Sequence, residues 1–209
     1  GIEPGTDSDM LKFMRRQAEI GIELADCIVM VTDVHSGVTA ADMDVATVSM
    51  AHLIQKCANN LAVSGAQPIA AMITLLLPET IEEPDIKRLM AEAEATCHKL
   101  NMQIAGGQTR VSAAVQKPLA VVTGYGKVSY NVKSAKPGQD IVISKWIGLE
   151  GTALAARLHK DSLLTRYPAY LVEEAESFDK YLSIIPEAAT AIKSGVSAMH
   201  DASEGGIFA

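Results

Sequence analysis

An α/β (α+β) architecture in two parts is what this 209-residue sequence predicts, on three observations. Short β-branched runs alternate with amphipathic stretches of helical period, the pattern of strands packed under helices. Hydrophobic residues make up 48% and charged residues 21%, so a core of useful size forms without metals or disulfides. A polar stretch from Asn131 to Gln139, with Pro137-Gly138 as a turn, divides the chain into domains at 1–130 and 131–209, the second incomplete.

Residues 9–25 read as a first helix, with Leu11, Met14, Ala18 and Ile22 near helical spacing. Cys27 to Thr32 has the length and β-branched content of a buried strand, ending at Asp33. A polar loop follows through His35, Gly37, Asp42 and Asp44. From Thr47 to Leu61 the period is helical again, with Met50, Leu53, Ile54, Cys57 and Leu61 on one face. Gly65 and Pro68 break it, and Ile69 to Leu77 reads as a second strand leading to Pro78. The next helix carries Pro84 in its first turn, Glu82, Glu83 and Asp85 at the positive end of the dipole, and Lys99 at the other. Ile86, Leu89, Met90, Ala93 and Cys97 form its apolar stripe. Met102 to Ala105 reads as a short strand ending in Gly106-Gly107, and Leu119 to Val128 as a long one in which Gly124 and Gly126 mark a bulge.

Beyond the linker, Asp140–Ser144 reads as a strand and Gly151–Leu158 as a helix. Two or three helices are expected between Asp161 and Lys193, then a strand at Val196–Met199 and a loop from His200 to Gly206. Ile207-Phe208-Ala209 reads as the start of a further apolar run, so the native protein is expected to continue. Gly1 in place of Met points to a processed start.

The net charge of -7 argues against a nucleic-acid surface, which needs a basic patch; Arg15-Arg16 is an isolated pair. Gly1 to Ser8 is polar, with no apolar core of a signal peptide. The most apolar stretch, Leu61 to Leu77, is interrupted by Ser64, Gly65, Gln67 and Pro68 and is no membrane span. Three cysteines without a CxxC pair read as buried thiols of a cytoplasmic protein. Cys97 and His98 are adjacent on a helix and point about 100° apart, which disfavours one shared ion.

Several polar residues fall where strands end, the usual place for sites in α/β folds. Asp33, Asp42, Asp44, Asp201 and Glu204 are candidate oxygen ligands for Mg²⁺. Gly106-Gly107, and Gly205-Gly206 after His200, would let backbone N–H groups approach an anion, although a Gly pair after a strand is more often a plain turn. GxxxxGK[ST], GxGxxG and GxSxG are all missing, which excludes P-loop, Rossmann and nucleophile-elbow chemistry. His52 lies in an apolar helical face and reads as a packing histidine; His35 and His159 read as surface positions.

Taken in order, seven segments carry a resemblance. They are Thr32-Asp33, the run Cys57 to Pro68 (CANNLAVSGAQP), Ile104 to Thr109 (IAGGQT), Pro118 to Gly126 with VVTGYG, Lys136 to Asp140 (KPGQD), Ile147 to Thr152 (IGLEGT) and Ala198 to Gly206 (AMHDASEGG). Together they resemble the PurM-like superfamily, nearest its hydrogenase-maturation and AIR synthase-related branch. The resemblance implies an N-terminal half that closes a β-barrel across a homodimer and a C-terminal α/β half. It implies ATP and Mg²⁺ in a cleft between the halves, and phosphorylation of an amide-like oxygen of a small-molecule substrate.

Carried over by position, Asp33 and Asp201 would be metal ligands. Asp33, Asn60, Gly106, Gly107, Gln108, Thr109, Gly205 and Gly206 would hold the nucleotide, and His200, Asp201 and Glu204 would be catalytic. Two departures stand out. The family commonly has an acidic residue at the position of Asn60, and another in the glycine loop where this chain has Gln108 and Arg110. Two readings therefore stay open: an ATP-dependent enzyme, and a non-catalytic dimer that binds a nucleotide or anion with a degenerate metal site.

Overall fold

The computed structural model describes residues 27–33, 49–203 and 206–208; the expected helix at 9–25 and the loop through Asp42 and Asp44 lie outside them. The elements are β1 (Cys27–Asp33), α1 (Met50–Val63), β2 (Ala66–Leu77), α2 (Glu83–Lys99), β3 (Gln103–Val111), β4 (Leu119–Val128), α3 (Leu149–Leu158), α4 (Lys160–Leu164), α5 (Ala169–Glu176) and α6 (Ile185–Lys193). Short 3₁₀ turns occupy Ser177–Tyr181 and Gly206–Phe208.

The four strands form one mixed sheet in the order β1-β4-β2-β3. β4 runs antiparallel to both neighbours, and β2 and β3 are parallel across the α2 crossover. One face of the sheet is covered. Ala71, Ile73, Leu75 and Leu77 of β2, with Ala120 and Val122 of β4, pack against Met50, Ile54, Cys57 and Ala58 of α1 and Leu89, Ala93 and Cys97 of α2. Burial pushes the Cys97 thiol above its usual range, which suits a packing role.

Sequence and structure agree closely on α1, β2, α2 and β4. Ser49 caps α1 by accepting from His52 N at 3.2 Å, and Glu92 of α2 accepts from Ser49 Oγ and Ala51 N, a carboxylate at a helix N-terminus. Gly124 and Gly126 serve packing rather than a bulge in their own strand. A Cβ on Gly124 would lie 2.4 Å from Cys57 Sγ, and one on Gly126 would lie 2.9 Å from Ala66 Cβ. They form the valley in which α1 sits. The register shift falls on the partner strand, between Pro68 and Ala70.

Three other expectations differ. β3 runs through Gly106-Gly107 to Val111 instead of ending there. Both glycines have positive φ, and a Cβ on Gly107 would lie 1.8 Å from Ile73 O, so they kink an edge strand that approaches β2 closely. Asp140–Ser144 and Val196–Met199 are not strands. A strand exists only with a ladder partner, and neither segment has one among the described residues; Ile141 and Val142 are 91% and 89% exposed.

At the sheet's end, Gly65 O accepts from Ser129 N, Tyr130 N and Ser129 Oγ. The linker is then tied to the far end of the chain: Tyr130 Oη donates to Val196 O and Lys133 N to Ser197 O, each at 2.7 Å.

Gly124→Ala is expected to lower stability by about 1–3 kcal/mol through overpacking against α1, seen as a lower urea midpoint. Gly151→Ala, where the added Cβ meets nothing within 4 Å on α3, is expected to add about 0.4–1 kcal/mol of stability, seen as a higher urea midpoint.

Candidate functional site: the polar face of α1

α1 carries two stripes. Met50, Ile54, Cys57, Ala58 and Leu61 face the sheet, while His52, Gln55, Lys56, Asn59 and Asn60 follow helical spacing on the other side. No residue of α1 is fully exposed, because the C-terminal half lies against this second stripe.

Three contacts make the seam. His52 Nε2 lies 2.7 Å from Glu150 Oε1 at the start of α3. Asn59, 7% exposed, donates from Nδ2 to Leu182 O at 2.8 Å and accepts at Oδ1 from Ile184 N at 3.1 Å and Gln55 Nε2 at 2.9 Å. Asn60, with its amide nitrogen turned to the C-terminal half, lies 3.0 Å from both Oδ1 and Oδ2 of Asp201.

The charges follow from this packing. The His52 hydrogen bond holds Glu150 below its ordinary value of 4.5, helped by the charges of His52 and Lys56 against the opposing effect of burial. Burial pushes Asp201 up, while the hydrogen bond from Ser203 and the charges of His200 and Lys56 pull it down. The Asn60 amide, a donor to the ionised form, acts in the same downward sense. The Lys56 charge therefore acts on both carboxylates of the seam.

The sequence-predicted residues fall into two groups. Asn60, His200 and Asp201 meet in the seam; His200 is exposed and its Nε2 lies 3.2 Å from Gly206 O, closing the loop. Glu204 and Gly205 lie outside the described residues. Asp33, Gly106, Gly107, Gln108 and Thr109 lie elsewhere, on the two edge strands. Asp33 pairs with Val121, Val121 with Thr74, and Thr74 with Gln108, so Asp33 and Gln108 share one row at a separation of roughly 14 Å. That row lies five positions along β4 from Gly126, which is level with Leu61 of α1, or about 17 Å. Asp33 thus lies on an edge strand of the sheet and Asp201 in the seam against α1.

Mg²⁺ takes octahedral oxygen ligands at short range and favours carboxylates. Among the described residues no group of three or more His, Cys, Asp or Glu could hold a metal ion. At the seam both Asp201 oxygens face the Asn60 amide, and Oδ2 also accepts from Ser203 Oγ at 3.0 Å. The described residues of the seam do not fit a divalent cation.

Residues 16–128 match the family described as AIR synthase related protein, N-terminal domain. The chain belongs to the AIR synthase related family. Carbamoyl dehydratase HypE of Cupriavidus necator is 22% identical over 209 residues, 96% of this chain and 56% of that one. GTPase Der of Acetivibrio thermocellus shares a shorter stretch, 53% identical over 47 residues, 22% of this chain and 11% of that protein. Among solved structures, the HypE–HypF complex aligns with a TM-score of 0.56 at 18% identity, covering 75% of this chain and 51% of that one. AaThiL complexed with AMPPCP and TMP aligns at 0.54 and 16% identity, covering 80% and 60%. At these identities the structures show a shared PurM-like fold. The chain spans about half the length of the HypE proteins it matches.

Four residues of the seam escaped the sequence reading: Lys56, Asn59, Glu150 and His52, which was expected to pack on the apolar face and instead meets Glu150 from the polar one. The available signal was the 52-55-56-59-60 spacing, a polar stripe opposite an apolar one on a helix with no exposed side.

Glu150→Gln is expected to flatten the acid limb of the stability curve. With its pKa lowered in the folded state, Glu150 contributes stability above pH 4.5 that is lost as pH falls through the folded value. Thermal melts between pH 3 and 6, on wild type and variant, read this directly as the converging of two curves on the acid side.

Asn59→Ala leaves Leu182 O and Ile184 N without their partner, at about 1–3 kcal/mol for each group that stays dry. Native-state hydrogen exchange is expected to show faster exchange at the Ile184 amide.

Proposed function

We propose that this chain is the nucleotide-binding part of an AIR synthase-related enzyme, one that uses ATP to phosphorylate an amide-like oxygen of a small substrate and works as a homodimer. The family match over residues 16–128 carries this reading. Solved relatives of the same fold support it, one titled as HypE in complex with ATP and one as ThiL with AMPPCP and TMP.

The seam offers suitable chemistry for such a role. Phosphorylation turns a poor leaving oxygen into a good one, and the protein's share of the work is positioning and charge stabilisation. Lys56 supplies a positive charge that acts on both Glu150 and Asp201, and that cation would meet phosphate oxygens. The edge-strand group, Gln108, Thr109 and Arg110, lies far enough away to contact a substrate or the partner protomer rather than the same phosphates.

A second reading is favoured by one observation. Asn60 already satisfies Asp201, which suits a non-catalytic homologue that binds a nucleotide or another anion directly.

Calorimetric titration of ATP into the 209-residue chain, with Mg²⁺ and with EDTA, followed by assay of ADP release with small carboxamides, separates the readings. The enzyme reading expects binding and substrate-dependent ADP, with Lys56→Ala weakening ATP about tenfold. Binding without ADP release from any carboxamide supports the second reading, and no binding of ATP under either condition overturns the enzyme reading and the nucleotide form of the second.

A further inference from the structure

The Asn60–Asp201 contact joins α1 to the loop after Met199 by an uncharged amide against a carboxylate. Asn60 Nδ2 lies 3.0 Å from each Asp201 oxygen. The opposite amide orientation would set a carbonyl oxygen against two acceptors, so the network itself fixes the direction of the bond. A half-buried carboxylate needs compensation, and here it comes from the amide, from Ser203 Oγ and from the charges of Lys56 and His200. The amide nitrogen that faces Asp201 has its lone pair delocalised into the carbonyl and offers none to a metal.

We propose that Asn60 closes the seam between the halves without a cation, its amide doing by hydrogen bonds what a divalent ion would do between two facing carboxylates. The neighbouring contacts are of the same kind. His52 with Glu150, and Asn59 with the Leu182 and Ile184 backbone, hold the seam by hydrogen bonds from the same helix face. The closed arrangement is therefore independent of metal supply and of whether the nucleotide reading holds.

The test uses the 209-residue chain, thermal unfolding in MgCl₂ against EDTA, and Mn²⁺ binding followed by electron paramagnetic resonance. Wild type is expected to melt at the same temperature in both buffers. Asn60→Asp sets two carboxylates face to face; it is expected to melt lower in EDTA, to recover with Mg²⁺, and to bind Mn²⁺ on the order of tenfold more tightly than wild type. The exchanged pair, Asn60→Asp with Asp201→Asn, places a carboxylate on the helix and an amide on the loop. It is expected to regain the wild-type melting temperature in EDTA, which decides the matter even if the single variant folds poorly. Mg²⁺ stabilisation of wild type equal to that of Asn60→Asp would overturn the proposal. So would Mn²⁺ uptake by wild type that Asp201→Asn abolishes, or an exchanged pair no more stable in EDTA than the single variant.

Discussion

No residue of helix α1 is fully exposed, and the rest of the molecule is arranged around that constraint. Its apolar stripe needs a sheet that comes very close, which two glycines of β4 allow. Its polar stripe needs partners that satisfy every donor and acceptor, because an unpaired polar group there is costly. Asn59 is the clearest case: one buried amide bonded to Gln55 on its own helix and to two backbone groups more than 120 residues further along the chain. A sheet on one side and a helical half on the other are thus coupled through fourteen residues of helix.

Patterns with a local cause were legible in the sequence. The apolar periods of α1 and α2, the first-turn Pro84 with its acidic neighbours, and the runs of β2 and β4 each state their structure within a few residues. What was not legible depends on distant partners. Asp140–Ser144 has strand composition and Val196–Met199 has strand length, yet a ladder is a relation between two segments. Gly106-Gly107 reads as the end of a strand because glycine pairs usually are; here two positive-φ residues stay within an edge strand pressed on Ile73. Within the site, motif order put Asn60 and Asp201 among the candidate residues, but it carries no distance, so their direct contact was not legible in it.

Family and fold agree, while the particulars of the site depart from what the family pattern implies. Fold similarity at 16–22% identity speaks for architecture and leaves chemistry to the residues present. Those residues favour amides and single cations over clustered carboxylates. Asn60 stands at the seam, Gln108 and Arg110 at the sheet edge, and the Lys56 charge acts on both Glu150 and Asp201. The described contacts of the seam are hydrogen bonds and single ion pairs.

The carbonyl of Gly65 has a mechanical consequence. Three donors from Ser129 and Tyr130 converge on it, and a side chain at Gly65 would strike the Tyr130 carbonyl at 2.1 Å. The first residues after the sheet are therefore welded to the end of α1, and bending cannot begin there. Tyr130 and Lys133 are stitched in turn to Val196 and Ser197, a few residues before Asp201. A small rotation of the C-terminal half would be transmitted as a lever arm from a fixed pivot, and its displacement would be felt at the loop that carries Asp201. The stretch that divides the chain in composition is thus tied by hydrogen bonds to the sheet's end and to Val196 and Ser197.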